Sequence, residues 1–380
     1  MNIENNRKIK ILRIIGECKV GGTETIALNY YHHLNHNRIS MDFLFYGESL
    51  PHFDAALMEN GDKVINVVDY TKDLFGSILE IKKVVEEGGY DIVHSQMNAL
   101  NVFPLVGAWL GGAQIRVCAN HSTANLKYEF KKSIVKYLLR PTTKIFATHY
   151  AACSRFAGEW CFGKKYIERG KVKIIRNAIS LDAFTFKNVI RNDVRRNEQW
   201  EDKFVIGHAG RFTEQKNHEF LVRIFSKIHK KNPNTLLVLV GEGHLKKKII
   251  EYVEELRLTD AVQFLGIRFD VNRLMQGMDV FVFPSLYEGL GNVIIEAQAA
   301  GLHSVISDAV PDEVKMSNLV DFVSLSDDIS VWESTISKYY DGYVHSGIHE
   351  VLIENGYEIS SAAKDLENYY SRISDEKLIS

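Results

Sequence analysis

Residues 278–297 read MDVFVFPSLYEGLGNVIIEA, and this stretch decides the architecture. Val280–Phe283 is an apolar run of β-branched and aromatic residues, the composition of a strand covered on both faces. A turn carrying Gly289 and Gly291 follows, and Asn292-Val293-Ile294-Ile295-Glu296-Ala297 then opens a helix. Strand, glycine-rich turn and helix make one βα unit of a parallel sheet. Glu288 and Glu296 stand eight residues apart across that turn. The spacing puts Glu288 on the loop and Glu296 about one turn into the helix, whose first N–H groups favour phosphate or sugar hydroxyls.

The same alternation runs outward in both directions. Upstream strand candidates are Ile9–Ile15, Met41–Tyr46, Val64–Val68, Asp91–Ser95, Ile115–Asn120, Ala151–Ser154 and Val172–Asn177. A second series comprises Phe204–Ala209, Leu236–Val240, Val262–Leu265, Val280–Phe283 and Val305–Ser307. Helical patterns such as Ile78, Ile81, Val84 and Val85 separate them. The reading is α/β, with two Rossmann-like doubly wound domains whose strand ends flank a ligand cleft. At 380 residues the chain is long enough for two domains of ~150–200 residues. The polar run RNDVRRNEQWEDK (191–203) reads as a linker or an exposed helix entry. The domains are therefore placed at 1–185 and 186–359, with a terminal helix over about 360–380 expected to return to the first.

Composition removes whole classes. With 46% hydrophobic and 25% charged residues the chain is neither disordered nor collagen-like. No apolar run reaches membrane-spanning length, and the polar start lacks a secretory core, so a cytoplasmic protein is expected. The four cysteines are scattered with no C-x-x-C pair, which suits reduced core thiols. A net charge of −2 argues against nucleic acid, yet residues 115–176 alone hold 14 Lys and Arg against Glu129, Glu159 and Glu168. There Lys127, Lys131, Lys132, Lys136 and Arg140 alternate with Phe130, Ile134, Val135, Leu138 and Leu139 on a helical period. This segment, 127–144, is either an ordinary amphipathic helix or a face for anionic lipid.

Three further places could carry chemistry. Gly21-Gly22 follows the first strand directly and is either a tight βα turn or a loop that lets backbone approach an anion. Gly210-Arg211, with Lys216 five residues on from Arg211, ends the first strand of the second domain and suits a diphosphate; a solvated surface pair is the plainer alternative. His121 ends the fifth strand; a lone histidine is more often structural than catalytic, and its place on the cleft side favours the catalytic alternative. No Asp-x-Asp occurs anywhere and His32-His33 are adjacent on a helix, so no metal is expected. The absence of G-x-x-x-x-G-K-[ST] removes the P-loop reading.

Taken together these residues resemble the retaining GT-B glycosyltransferases of family four, of the bacterial exopolysaccharide and capsule type. Glu288 to Glu296 matches the family's E-x7-E motif, supported by Gly21-Gly22, Gly210-Arg211 with Lys216, and residues 278–285. The resemblance implies that Arg211 and Lys216 neutralise the donor diphosphate and that Glu296 binds the ribose hydroxyls. Glu288 would meet the transferred sugar, and Gly291, Asn292 and Val293 would offer backbone amides. Phe264, Leu265 and Gly266 would read the base, and His121 would lie near the donor sugar. It further implies transfer of a hexose or N-acetylhexosamine from a UDP-sugar to a glycan or polyprenyl-diphosphate-linked acceptor. Same-face attack, with the leaving phosphate as base, is the family reading; a carboxylate nucleophile stays open. Two departures stand out. Residues 176–180 read RNAIS where Asn-Gly-Ile/Val-Asp is usual, a change expected to bear on the hinge alone. Asn292-Val293 replaces a frequent Leu-Pro. A nucleotide-sugar 2-epimerase or a non-catalytic nucleotide-sugar sensor would share the same domains.

Overall fold

The apolar runs become strands because both of their faces are covered. The computed structural model describes residues 7–17, 22–49, 51–123 and 130–379. In the first half the strands are β1 (Ile9–Glu17), β2 (Ile39–Tyr46), β3 (Val64–Val67), β4 (Ile92–Ser95), β5 (Ile115–Asn120), β6 (His149–Ala152) and β7 (Val172–Ile174). The second half supplies β8 (Phe204–Ala209), β9 (Thr235–Val240), β10 (Val262–Gly266), β11 (Val280–Phe283), β12 (Ser304–Ser307) and β13 (Val320–Val323). Sequence reading missed β13, whose four residues alternate with polar neighbours and show no run of their own.

Each half is one parallel sheet. The first has the order β3-β2-β1-β4-β5-β6-β7 and the second β10-β9-β8-β11-β12-β13. Ile11 of β1 stands opposite Met41 on one side and Ile92 on the other. The order reverses at β1 and again at β8, and ligands of open α/β sheets bind at the carboxyl ends of strands beside such a reversal. Alternate residues of β1 serve two cores: Ile11 and Ile15 pack with Tyr30, Tyr31, Phe43 and Phe45, whereas Leu12 and Ile14 pack with Ile81, Val85 and Val93. In the second sheet Ile206, Leu237, Leu239, Val280 and Val282 meet Leu221, Val222, Phe225 and Trp332.

The described residues divide into two compact units, those up to 123 with 130–179 and 356–379 in the first, and 180–355 in the second. The terminal helix Ile359–Ile379 lays Ala363, Leu366, Tyr369 and Tyr370 into the core of the first. Of the two forms expected for the polar run, a linker or an exposed helix entry, the structure shows the helix. Asn188–Asn197 is a helix fixed to the second unit, and it buries a single apolar residue, Val194. Its attachment is ionic: Arg191 and Arg195 both pair with Asp279, and they donate further bonds to the carbonyls of Gln276, Gly277 and Met278. That carboxylate also accepts from the Val205 N–H at 2.7 Å, so the helix is tied to the first residues of β8 and β11.

Candidate active site

In the second unit the ends of β8, β9 and β10 are laced by backbone bonds. The Gly210 N–H donates to Val240 O at 2.9 Å, Gly241 to Gly266 O at 2.8 Å, and Phe212 to Glu242 O at 2.9 Å. Gly241 has φ 135°, and a Cβ there would stand 2.2 Å from Gly210 O, so no side chain fits. Phe264, Leu265 and Gly266 end β10 partly open to solvent. Arg211 is exposed beside this lacing and makes no side-chain hydrogen bond among the described residues.

Lys216 is brought in by a clasp between two loops. Leu286 N–H donates to Gln215 O at 2.8 Å, Gln215 Nε2 to Tyr287 O at 2.9 Å, and Asn217 Nδ2 to Pro284 O at 3.1 Å. The clasp sets Lys216 Nζ 2.6 Å from Glu288 Oε1 and 4.5 Å from the centre of the Phe283 ring. Glu288 is 7% exposed, so this ion pair is almost removed from water. Gly291 then takes φ 95°, a left-handed conformation, at the start of the helix Asn292–Ala299, and a Cβ would press on Val310 at 3.3 Å. Asn292 and Val293, partly open, present the first amides of that helix. Glu296 lies one turn in. No described residue hydrogen-bonds its carboxylate, and burial pushes it up to about 7. Beneath Gly210 and Lys216 lies a pair of buried histidines. His208 Nδ1 is 2.8 Å from Val282 O, and His218 stacks on Phe212 at 4.1 Å. Burial pushes them down to about 4 and about 2, so both rings are neutral at pH 7.

In the first unit His121 lies at the ends of β4 and β5. The His121 N–H donates to Asn98 Oδ1 at 2.6 Å, and Asn98 is itself left-handed, with φ 56°. Buried Asn101 accepts from Ser95 Oγ and the Met97 N–H and donates to Ala119 O, joining the two strand ends. Gln96 Nε2 lies 2.9 Å from His121 Nε2, and Gln96 Oε1 accepts from Arg13 Nε at 2.9 Å. Burial, and then the Arg13 charge, push His121 down to about 4 against an opposing interaction with Asn177. The segment 176–180, expected to affect the hinge alone, therefore reaches His121 through Asn177.

Of the residues singled out from sequence, the fold gathers Gly210, Arg211, Lys216, Glu288, Gly291, Asn292, Val293 and Glu296 at the strand ends of the second unit, and His121 at those of the first. Gly21 lies outside the described residues, and Gly22 is the first residue of the helix Gly22–His33. Sequence reading missed Gly241, although Gly241-Glu242-Gly243 directly after an apolar run was a visible signal. It also missed Arg13 and Gln96, which are 83 positions apart and give no local signal. Among the described residues no three His, Cys, Asp or Glu side chains converge as a metal site, and no helix is long and apolar enough to cross a membrane. In the basic segment Lys127 and the side chains of Lys131 and Lys132 lie outside the described residues. Arg140 donates to Trp160 O at 2.8 Å and Lys144 to Phe162 O at 2.6 Å, so these two cations serve the fold.

Residues 20–183 match the family model described as Glycosyltransferase Family 4, and residues 190–316 match that described as Glycosyl transferases group 1. A Bacillus subtilis (strain 168) protein named putative glycosyltransferase EpsF is 31% identical over 98% of this chain and 99% of its own length. The chain belongs to glycosyltransferase family four. The two matched segments of this glycosyltransferase contain His121 in the first and Arg211, Lys216, Glu288 and Glu296 in the second. It is 25% identical, over 77% of its chain and 78% of the relative, to an Escherichia coli UDP-Gal:alpha-D-GlcNAc-diphosphoundecaprenol alpha-1,3-galactosyltransferase. The solved structure of Anabaena HepE in complex with UDP-glucose aligns at a TM-score of 0.72 and 18% identity, covering 97% of this chain and 99% of that one. The fold of this glycosyltransferase is GT-B, with its two Rossmann-like domains.

Proposed function

We propose that this glycosyltransferase moves a hexose or N-acetylhexosamine, with retention and without a metal, from a UDP-sugar to a glycan or polyprenyl-diphosphate-linked acceptor in cell-surface polysaccharide synthesis. The observation that carries the reading is the pairing of four charges at the strand ends of the second unit. Lys216 and Glu288 neutralise each other, whereas Arg211 and Glu296 have no partner among the described residues. An open guanidinium suits a diphosphate, and an open, desolvated carboxylate suits a pair of ribose hydroxyls. The E. coli relative's name includes UDP-Gal and a diphosphoundecaprenol acceptor, and HepE was solved with UDP-glucose; both support this choice of donor and acceptor.

The steps follow from where charge develops. Breaking the anomeric C–O bond leaves negative charge on the diphosphate and positive charge on the sugar. Arg211, the spare N–H groups of Lys216 and the amides at Asn292 and Val293 stabilise the leaving group as its charge grows. They supply the positive charge for which a metal would otherwise be recruited. Glu288 accepts from sugar hydroxyls and, with an ammonium 2.6 Å away, is a poor nucleophile. That favours same-face attack, with the leaving phosphate taking the acceptor proton. The helix Phe130–Leu139 leaves Ile134, Val135 and Leu138 exposed, and its sequence also carries Lys131, Lys132 and Lys136, which suits an anionic bilayer holding a lipid-linked acceptor.

Calorimetry against UDP-, GDP-, ADP- and dTDP-sugars, followed by transfer to a short-chain polyprenyl-diphosphate-linked sugar in EDTA, tests the reading. A UDP-sugar preference and an α-linked product from an α-donor are expected. A β-linked product would remove retention, and activity restored only by added metal would remove the metal-free step. An epimerised donor without acceptor would make the protein an epimerase. Binding with neither transfer nor hydrolysis would make it a sensor.

A further inference from the structure

Arg13 is a costly residue with no assigned purpose. It sits in the middle of β1, is 1% exposed, and forms no ion pair among the described residues. Its Nη1 has no hydrogen-bond partner, and desolvation lowers its pKa. A buried cation without a carboxylate is strongly unfavourable and is expected to be replaced by an apolar residue unless it does something. Around it stand Tyr30 and Tyr370, the Phe43 ring at 5.9 Å, and His94, whose Nδ1 is 2.6 Å from the Tyr370 hydroxyl. None of these supplies a negative charge at pH 7. Among the described residues, the one directed bond Arg13 makes is Nε to Gln96 Oε1.

That bond fixes the direction of the next. A glutamine amide can turn over and offer either end to a neighbour. A guanidinium has only donors, so it accepts the carbonyl end alone and forces the amide nitrogen outward. Gln96 Nε2 therefore donates to His121 Nε2, which must present a lone pair, and the ring proton resides on Nδ1. We propose that Arg13 and Gln96 are positioning residues that lock His121 as a neutral, Nδ1-protonated imidazole during sugar transfer. The proposal rests on the reading of His121 as a neighbour of the donor sugar. Its chemical purpose follows from the transition state. The sugar becomes oxocarbenium-like, and an imidazolium beside it would repel the growing positive charge.

Among the described residues, one group opposes the neutral ring and the others favour it or leave it alone. Arg13 from β1 and burial disfavour the charged imidazole, and His94 from β4 is itself held well below its usual value. Asn98 engages only the His121 backbone, while Asn177, following β7, opposes the shift. The lock thus combines a chemical constraint at Nε2 with an unfavourable field.

Gln96→Glu tests it with little change of volume. The carboxylate would pair with Arg13, which the fold should welcome, but it can only accept at Nε2 and so draws the proton there. Histidine-labelled protein would be studied by long-range 1H–15N correlation, with His121 assigned through His121→Asn. The expected wild-type spectrum shows Nδ1–H and an unprotonated Nε2 from pH 6 to 9. In Gln96→Glu the proton should move to Nε2, the ring titration should rise by two units or more, and transfer should fall across pH 6 to 9, most at the acid end. Arg13→Met should let the amide turn over and populate both tautomers, with Arg13→Lys partly restoring one. Nε2–H in the wild-type ring, or an unmoved tautomer and pH profile in Gln96→Glu, overturns the proposal. His121→Ala at the full wild-type rate would instead remove His121 from the reaction, a separate failure of the functional reading, whatever the spectra show.

Discussion

Glu296 is the carboxylate of the candidate site whose ionisation the fold resists, and its pH behaviour follows from the sign of the shift. Its folded-state value of about 7 exceeds that of an unfolded glutamate, ~4.3. The fold therefore prefers the neutral form: that preference is fully present below ~4.3 and is lost as pH rises through about 7. Glu296→Gln should raise Tm by a few degrees at pH 8 and by almost nothing at pH 5, as calorimetric scans would show. On the proposed function donor binding runs the other way, because ribose hydroxyls would need the carboxylate. Wild-type affinity should weaken as pH drops below 7, while the Gln variant, ~1.5–3 kcal/mol weaker at pH 8, stays flat apart from the ligand's own titration. Equal affinity of the two proteins at pH 8 would take Glu296 out of the nucleotide site. Lys216 is the contrasting case. From sequence it is a phosphate ligand, but in the structure it also neutralises a nearly buried Glu288. Lys216→Ala should thus cost on the order of 3 kcal/mol of stability as well as turnover. Adding Glu288→Gln should recover most of the stability and none of the turnover. Denaturant titration beside a transfer assay separates the two effects, and a Lys216→Ala variant as stable as wild type would contradict the pairing argument.

At the scale of elements, the helix Phe130–Leu139 shows how structure redirects an experiment. The sequence offers a row of cations, and neutralising all of them looks like the natural test. Arg140, however, stacks on Tyr137 and Trp160 at 5.4 and 5.6 Å and donates to Trp160 O, so Arg140→Gln would damage the fold itself. The exposed features are Val135 and Leu138, at 49% and 70%. Lys131→Gln with Lys132→Gln should reduce pelleting with anionic vesicles at low salt, and Val135→Ser with Leu138→Ser should reduce it at all salt concentrations. Unchanged pelleting by both double variants would leave the helix a plain structural element. The helix Asn188–Asn197 gives the matching lesson about legibility. Periodicity finds helices through their apolar stripe, and this one is held by Arg191 and Arg195 on Asp279, more than 80 residues away. Nothing in its own ten residues announces that attachment.

At the scale of the whole molecule, the last element in sequence completes the first core. Leu366 and Tyr370 are at most 1% exposed, and Ala363 and Ile373 are also buried. The segment just before them is joined by backbone bonds between Ile179 and both Tyr357 and Ile359, at 2.9 and 3.1 Å. At ~1.5–3 kcal/mol per large buried side chain, their loss would exceed much of the ~5–15 kcal/mol that stabilises a domain. Truncation after Asn355 should therefore yield a protein whose second unit melts normally and whose first does not fold. Limited proteolysis should leave a protected fragment starting near residue 180. A truncated chain with both transitions intact would show that the terminal helix is dispensable.

What the sequence determined by itself was the class and the inventory. Near-continuous apolar runs of three to seven residues, separated by helical periods, admit little other than parallel sheets covered on both faces. The glycine-rich turn between Glu288 and Glu296 marks its own chemistry, because a tight turn, a helix start and two carboxylates all lie within ten residues. Tertiary structure decided everything that depends on distant partners. It alone joins Lys216 to Glu288, 72 residues away, and leaves a partly buried Glu296 without a hydrogen-bond partner among the described residues. It alone aims Gln96 with an arginine from β1, and by that bond decides which nitrogen of His121 carries the proton. Hydrophobic patterning is local and can be read in order along the chain; the direction of a buried hydrogen bond depends on which donors and acceptors the fold brings together.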